Sequence, residues 1–180
     1  QVNGPDAPRT DVLVFDPKGN EAANGPFAHN KARLAGEPAF HFESKQGVKD
    51  PFTGHQEPKD PNSSDIPGSV GRQHTCDIVT QLTTVIEKWP TCDYFMFMED
   101  DFVLCDRAME AISHAIQKSD KYSPDWSALR VSFGLNGMVV PCKDLPAMRD
   151  FMFAKSSWRP ADLLAVYFVG KIADEGEAHF

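Results

Sequence analysis

Residues 94–102 read Tyr94-Phe95-Met96-Phe97-Met98-Glu99-Asp100-Asp101-Phe102. A short apolar run of this kind is the pattern of a buried strand, and it predicts a strand over residues 94–99. The run ends in three consecutive carboxylates. Like charges side by side repel, and each resists burial. Packing therefore gives no reason for Glu99, Asp100 and Asp101 to stand together at a strand tip. A divalent cation carrying a phosphate would resolve the conflict. A strand surfacing into solvent and ending in a charged turn also accounts for it, because acid clusters at strand ends are common in α/β sheets.

Helices and strands alternate around this stretch. Val79, Leu82, Val85 and Ile86 share one helical face in a helix expected from Arg72 until Pro90 stops it. After the acidic tip, Met109, Ile112, Ala115 and Ile116 mark a second amphipathic helix, with His114 facing solvent. Leu129-Arg130-Val131-Ser132-Phe133 reads as a strand, Gly134 and Gly137 flank a turn, and Met138-Val139-Val140 is a further strand. Asp144 is placed to cap a helix through Leu145, Met148, Phe151 and Met152. Pro160 opens a last helix with Leu163, Leu164, Tyr167 and Phe168. Upstream, Asp11–Asp16 and Ala39–Glu43 read as short strands, with a short helix expected around Asn30–Leu34. Residues 44–71 carry Asp50-Pro51, Asp60-Pro61 and Pro67-Gly68, the signature of a long loop. The expected organisation is an extended arm, two short strands and a turn-rich loop over 1–71, an α/β core over 72–170, and an acidic tail over 171–180. The fold class is α/β, with a mixed sheet flanked by helices.

A chain of 180 residues is long enough for one domain with a real core, and 41% hydrophobic with 24% charged residues is ordinary for a globular protein. The net charge of −8 argues against nucleic-acid partners and against a basic membrane-surface patch. No apolar run approaches the roughly 20 residues of a membrane span, so no transmembrane segment is expected. The start at Gln1 is expected to mark a processed mature chain or a segment of a longer one. Cys76, Cys92, Cys105 and Cys142 form no C-x-x-C pair, which disfavours structural zinc. Two disulfides in an oxidising lumen and buried free thiols both remain open, and Cys105–Cys142 is one candidate bridge. Asn62-Ser63-Ser64 is a glycosylation sequon if the chain reaches a secretory lumen. Arg72 and His74, at the start of a helix, could meet a phosphate, with a surface role as the default. Arg130 could pair with an acid of the triplet, and Trp126 or Trp158 could stack on a sugar, although rim packing is the usual fate of tryptophan.

Four pieces in order carry a resemblance. A helix begins with Arg72 and contains Asp77. The strand from Asp93 runs into Glu99-Asp100-Asp101. After one helix comes Trp126-Ser127-Ala128-Leu129-Arg130-Val131-Ser132-Phe133-Gly134-Leu135-Asn136-Gly137-Met138. Last come Asp144-Leu145 and Arg159-Pro160-Ala161-Asp162-Leu163-Leu164. The segment Arg72–Gly170 resembles the catalytic domain of the N-acetylglucosaminyltransferase IV family and of the related transferase that adds N-acetylgalactosamine to the glycan of GPI anchors. The resemblance implies a GT-A-like (Rossmann-like) fold and inverting transfer from a UDP-sugar to a glycan acceptor in a Golgi or ER lumen. It implies Mn²⁺ or Mg²⁺ on Asp101, Asp100 beside it near the donor ribose, and Glu99 shaping the turn. Asp162 matches one family carboxylate suited to act as general base. The second such position is Val166, which cannot act as a base. Asp11–Asp16 matches the family's second strand, so the fold is expected to be truncated at its N-terminal, nucleotide-binding edge.

These departures define an alternative: a non-catalytic GT-A-derived scaffold, serving as a peripheral structural subunit with protein partners in a large membrane assembly such as an organellar or photosynthetic one. A bare nucleotide-binding module is a third option, but Gly134 and Gly137 make a turn rather than a phosphate cradle.

Overall fold

The structure is a computed structural model that describes residues 9–52, 54 and 66–171. The chain divides into two compact units, Gln1–Val48 and Lys49–Phe180. The sequon at 62–64, the tail beyond Lys171 and most of the N-terminal arm lie outside the described residues.

In the first unit, β1 (Val12–Asp16) and β2 (Phe40–Ser44) pair in parallel, from Val12 opposite Phe40 to Asp16 opposite Ser44. Between them in sequence lies α1 (Gly25–Arg33). This helix starts earlier than its apolar pattern suggests, because Asn24 and Pro26 supply the start signals. The Asn24 side chain accepts the Phe27 N–H at 3.2 Å, and Pro26 sits where no amide partner is needed. Phe27 is buried edge-on against Phe42, with ring centroids 5.4 Å apart. Asp16, at the end of β1, ties these parts together. Its carboxylate accepts Ser44 Oγ at 2.8 Å and Asn24 Nδ2 at 3.2 Å, which joins the β2 end and the α1 cap. Gly19, at φ 63°, lets the following turn lie against Gln46, where a Cβ would sit 2.6 Å from the Gln46 backbone nitrogen.

The second unit is organised by α2 (Ser69–Lys88). Cys76, Val79, Leu82 and Val85 are buried on one of its faces. That helix packs against α4 (Leu145–Ala154) and α5 (Ala161–Gly170), which contribute Leu145, Met148, Met152, Leu164 and Ala165, all fully buried. Each large apolar side chain so buried contributes about 1.5–3 kcal/mol. An exposed ion pair such as Arg107–Glu110 contributes about 0–1 kcal/mol, so the helical seam dominates. The buried hydroxyls on α2 cost little, because Thr80 and Thr84 donate to the carbonyls of Cys76 and Thr80 at 3.0 and 2.9 Å. Asp144 stands at the α4 N-cap as expected, but its side chain makes no capping bond.

The remaining strands form one antiparallel sheet in the order β3 (Tyr94–Met96), β5 (Met138–Pro141), β4 (Leu129–Arg130). Parallel and antiparallel pairing thus occur in two small sheets instead of one mixed sheet. Every residue of β5 is buried, as a central strand requires. The strand expected over 94–99 stops at Met96, although Phe97 extends the ladder by donating to the Met138 carbonyl at 3.0 Å. Beyond it three carboxylates need solvent. The strand expected over 129–133 keeps only two residues, because the chain turns into Gly134 and Gly137, both in the left-handed region.

On the flank, α3 (Ala108–Tyr122) buries Ile112, and Met109, Ala115 and Ile116 partly. His114 is exposed. Near its end, Asp120 accepts the Tyr94 hydroxyl at 2.7 Å and the Trp126 indole N–H at 2.8 Å, and the two rings stack 5.5 Å apart. Burial, followed by the bond to Asp120 and its charge, pushes the Tyr94 phenol up to about 12. Trp126 therefore serves rim packing.

The disulfide is Cys92–Cys142, so the candidate bridge Cys105–Cys142 does not form. Tyr94 lies opposite Pro141, so antiparallel register brings the residues just beyond the strand ends together. Cys105 sits in exposed coil past the acidic turn. Closing a loop of sequence separation 50 removes unfolded-state entropy equivalent to about 4 kcal/mol in the chain-entropy treatment. Cys76 is buried and free, and burial above all pushes its thiol up to about 11, leaving it unreactive.

Two carboxylates make the first unit acid-sensitive. Hydrogen bonding to Arg9, then to His41, holds Asp11 below the usual carboxylate range. Burial pushes Asp16 up, but bonds from Ser44, Asn24 and the backbone of Lys18 and Asn20 together outweigh it and hold it low. A folded-state pKa below the unfolded value contributes stability that is complete above about pH 4 and is lost as pH falls through the folded value. Urea titrations between pH 7 and pH 2 should show that loss. Asp16→Ala should cost about 1–3 kcal/mol at pH 7 and flatten the acid limb; an unchanged limb would contradict this role.

Candidate functional site

A cleft of about 330 Å³ opens at the carboxyl end of β3. Four segments line it. Helix α2 gives Gly71 and His74, the coil after β3 gives Glu99 and Phe102, the turn before β5 gives Phe133, Gly134, Leu135 and Asn136, and the start of α5 gives Pro160, Ala161 and Asp162. Two of the residues singled out in the sequence, Glu99 and Asp162, thereby line one cavity.

Local structure explains the convergence. The turn is pinned to β3 because Gly137 N–H donates to the Phe97 carbonyl at 2.8 Å. Asn136, 2% exposed, then lies beside Glu99. Its Oδ1 accepts the Glu99 backbone N–H at 2.7 Å, and its Nδ2 donates to Glu99 Oε2. Among the described residues these are the partners of the Glu99 side chain and amide. Asp162 is half-buried in the first turn of α5, a position that a helix dipole also favours for an acid. Val166 follows one turn later on the same helix.

Asp100, Asp101, Arg72, Arg130 and Trp158 are not among the residues that line this cleft. Asp100 and Asp101 form an exposed turn directly after Glu99 and do not line the cavity. Among the described residues, no group of three or more His, Cys, Asp or Glu side chains is placed to hold a metal ion. Arg72 is 3% exposed and faces the interior. Its Nε donates to Asp50 Oδ2 at 2.8 Å and its Nη1 donates to the Pro67 carbonyl at 3.2 Å. The guanidinium thus fastens the segment before α2 to the helix. His74 is exposed on the cleft wall. Arg130 has no carboxylate partner among the described residues and lies over the Phe133 ring at 5.7 Å. Trp158 packs against Tyr167, with ring centroids 4.9 Å apart.

Sequence reasoning gave no role to Asn136 or Asp50. A lone amide between two turn glycines in an apolar stretch was the available signal for Asn136. Asp50 carried none, since its partner lies 22 positions on.

Comparison with protein-family models, with curated proteins and with solved structures returns no match.

The buried Arg72–Asp50 pair makes a structural prediction. Removing either partner leaves the other charge buried and uncompensated, at a cost of about 3–5 kcal/mol. Urea denaturation of Arg72→Ala, Asp50→Ala and the double variant should show large single losses and a double loss smaller than their sum. Small, additive losses would leave Arg72 free for another role.

Proposed function

We propose that the cleft belongs to a GT-A-like, inverting glycosyltransferase module that takes a UDP-sugar donor and a glycan acceptor with the help of Mn²⁺ or Mg²⁺. The observation that supports it is the meeting of Glu99, from the acidic triplet, with Asp162, from the distant Arg159–Val166 stretch, in one cavity. In this reading Asp162 takes the proton of the acceptor hydroxyl. The acceptor oxygen bonds to the anomeric carbon as the bond to the diphosphate oxygen breaks, and UDP leaves. The metal would be held by Asp101, with Asp100 beside it, and would neutralise the leaving diphosphate. An exposed pair of carboxylates without a preassembled cage suits a hard ion that keeps waters and takes further ligands from phosphates. The Cys92–Cys142 disulfide supports an oxidising lumen as the working compartment.

A second reading has its own support: the non-catalytic scaffold, a peripheral subunit of a larger assembly. Val166 stands where the family has its other carboxylate. In this reading the subunit is held by partner proteins; among the described residues, no helix is long and apolar enough to cross a membrane.

Calorimetric titration of UDP in the presence of Mn²⁺ separates the two. The enzyme reading expects saturable binding that disappears on adding EDTA and falls at least tenfold in Asp101→Ala. Asp162→Asn should keep donor binding and abolish transfer. Heat-silent mixing with the native protein would reject the enzyme reading in favour of the scaffold.

A further inference from the structure

Glu99 is the only carboxylate of the triplet that lines the cleft, and its position is not left to solvent. Asn136 grips it twice, accepting its backbone N–H at 2.7 Å and donating to Oε2. A residue 2% exposed that spends both ends of its amide on one neighbour fixes that neighbour's backbone and carboxylate together. With Oε2 already bonded to the Asn136 amide, Oε1 is the oxygen left to meet a donor on a ligand. It remains suited to a single O–H donor. Among the described residues the cleft lining contains no Lys or Arg, and Phe102 and Phe133 add apolar walls.

We propose that Asn136 is a positioning residue that holds Glu99 as a one-oxygen acceptor for a hydroxyl of an uncharged sugar ring bound in the cleft. The choice of sugar as ligand rests on the glycosyltransferase reading; the clamp itself rests on the geometry alone. Two halves of the clamp can be separated. Asn136→Leu removes both bonds. Asn136→Asp keeps an oxygen for the Glu99 amide but sets a second carboxylate against Glu99 Oε2.

Two readouts test it, both on the full chain under conditions where circular dichroism shows each variant folded. The first is amide hydrogen exchange at Glu99 compared with Phe97, whose N–H bonds to the Met138 carbonyl. Asn136→Leu should lose protection at Glu99 and keep it at Phe97, and Asn136→Asp should keep both. The second is affinity for UDP-N-acetylglucosamine with Mn²⁺. Asn136→Leu, Asn136→Asp and Glu99→Gln should each weaken it about tenfold or more, and adding either Asn136 change to Glu99→Gln should weaken it no further, as groups acting through one another do. Equal loss of protection at Phe97 and Glu99, or affinity within twofold of native in Asn136→Leu, would show that Asn136 merely holds the turn and would overturn the proposal. A native protein that binds no UDP-sugar rejects the glycosyltransferase reading, and the exchange comparison then decides the clamp by itself. If Asn136→Leu does not fold, protection at Glu99 with at least tenfold weaker binding in Asn136→Asp supports the proposal, and unweakened binding in that variant overturns it.

Discussion

At Gly137 the backbone has φ 65°, and a Cβ there would run into Val131 Cγ2. No L-residue adopts both the angle and the position without strain. Because this residue is glycine, the chain can reverse between Val131 and Met138 and still donate its N–H to the Phe97 carbonyl. Two consequences follow from that one close approach. The central strand β5 enters the sheet in register between β3 and β4. In addition, Asn136 is delivered beside Glu99, so the same turn that closes the sheet builds one wall of the cleft.

The other walls come from elements of the helical seam. The first turn of α5 carries Asp162 next to the buried Ala161, Leu164 and Ala165, and α2 brings His74 on the side away from its buried stripe. Sites carried on packed helices hold geometry better than sites on loops alone. The acidic turn at Asp100–Asp101 is the opposite case: exposed and unpaired among the described residues. A firm cleft beside a solvated pair of carboxylates is consistent with a ligand whose organic part is read by the walls, while its charge is met by an ion from solution.

Much of the fold was legible in the sequence because its signals were local. The stripe Val79, Leu82 and Val85, the stop at Pro90, and the apolar run Met138–Val140 each report a neighbour within a few residues. What the sequence concealed depends on register and on partners far along the chain. Cys142 pairs with Cys92 through the antiparallel alignment of Tyr94 with Pro141, which no spacing rule encodes. Arg72 read as a surface cation at a helix start, and its burial is intelligible only through Asp50 and the Pro67 carbonyl. Strand ends were overextended at Glu99 and Phe133 because apolar composition continues past the point where the backbone turns. For the site, Glu99 stands in an acidic run visible in the sequence and Asp162 is named only through the family resemblance, whereas Asn136 emerges from the structure, since an amide in a turn carries no chemical signature until its partner is seen.

In the proposed function, the cleft beside Glu99 receives the nucleotide-linked ligand. Paramagnetic broadening in amide-resolved nuclear magnetic resonance spectra tests it directly, because Mn²⁺ delivered with UDP relaxes only nearby protons. Substoichiometric Mn²⁺ with UDP should broaden the amides of Glu99, Asp100, Asp101 and Phe102 first. Those of Leu135, Asn136 and Asp162 should follow, and Mg²⁺ in place of Mn²⁺ should restore them. Broadening scattered over exposed acids such as Asp106 and Asp125, or centred away from the carboxyl end of β3, would contradict it.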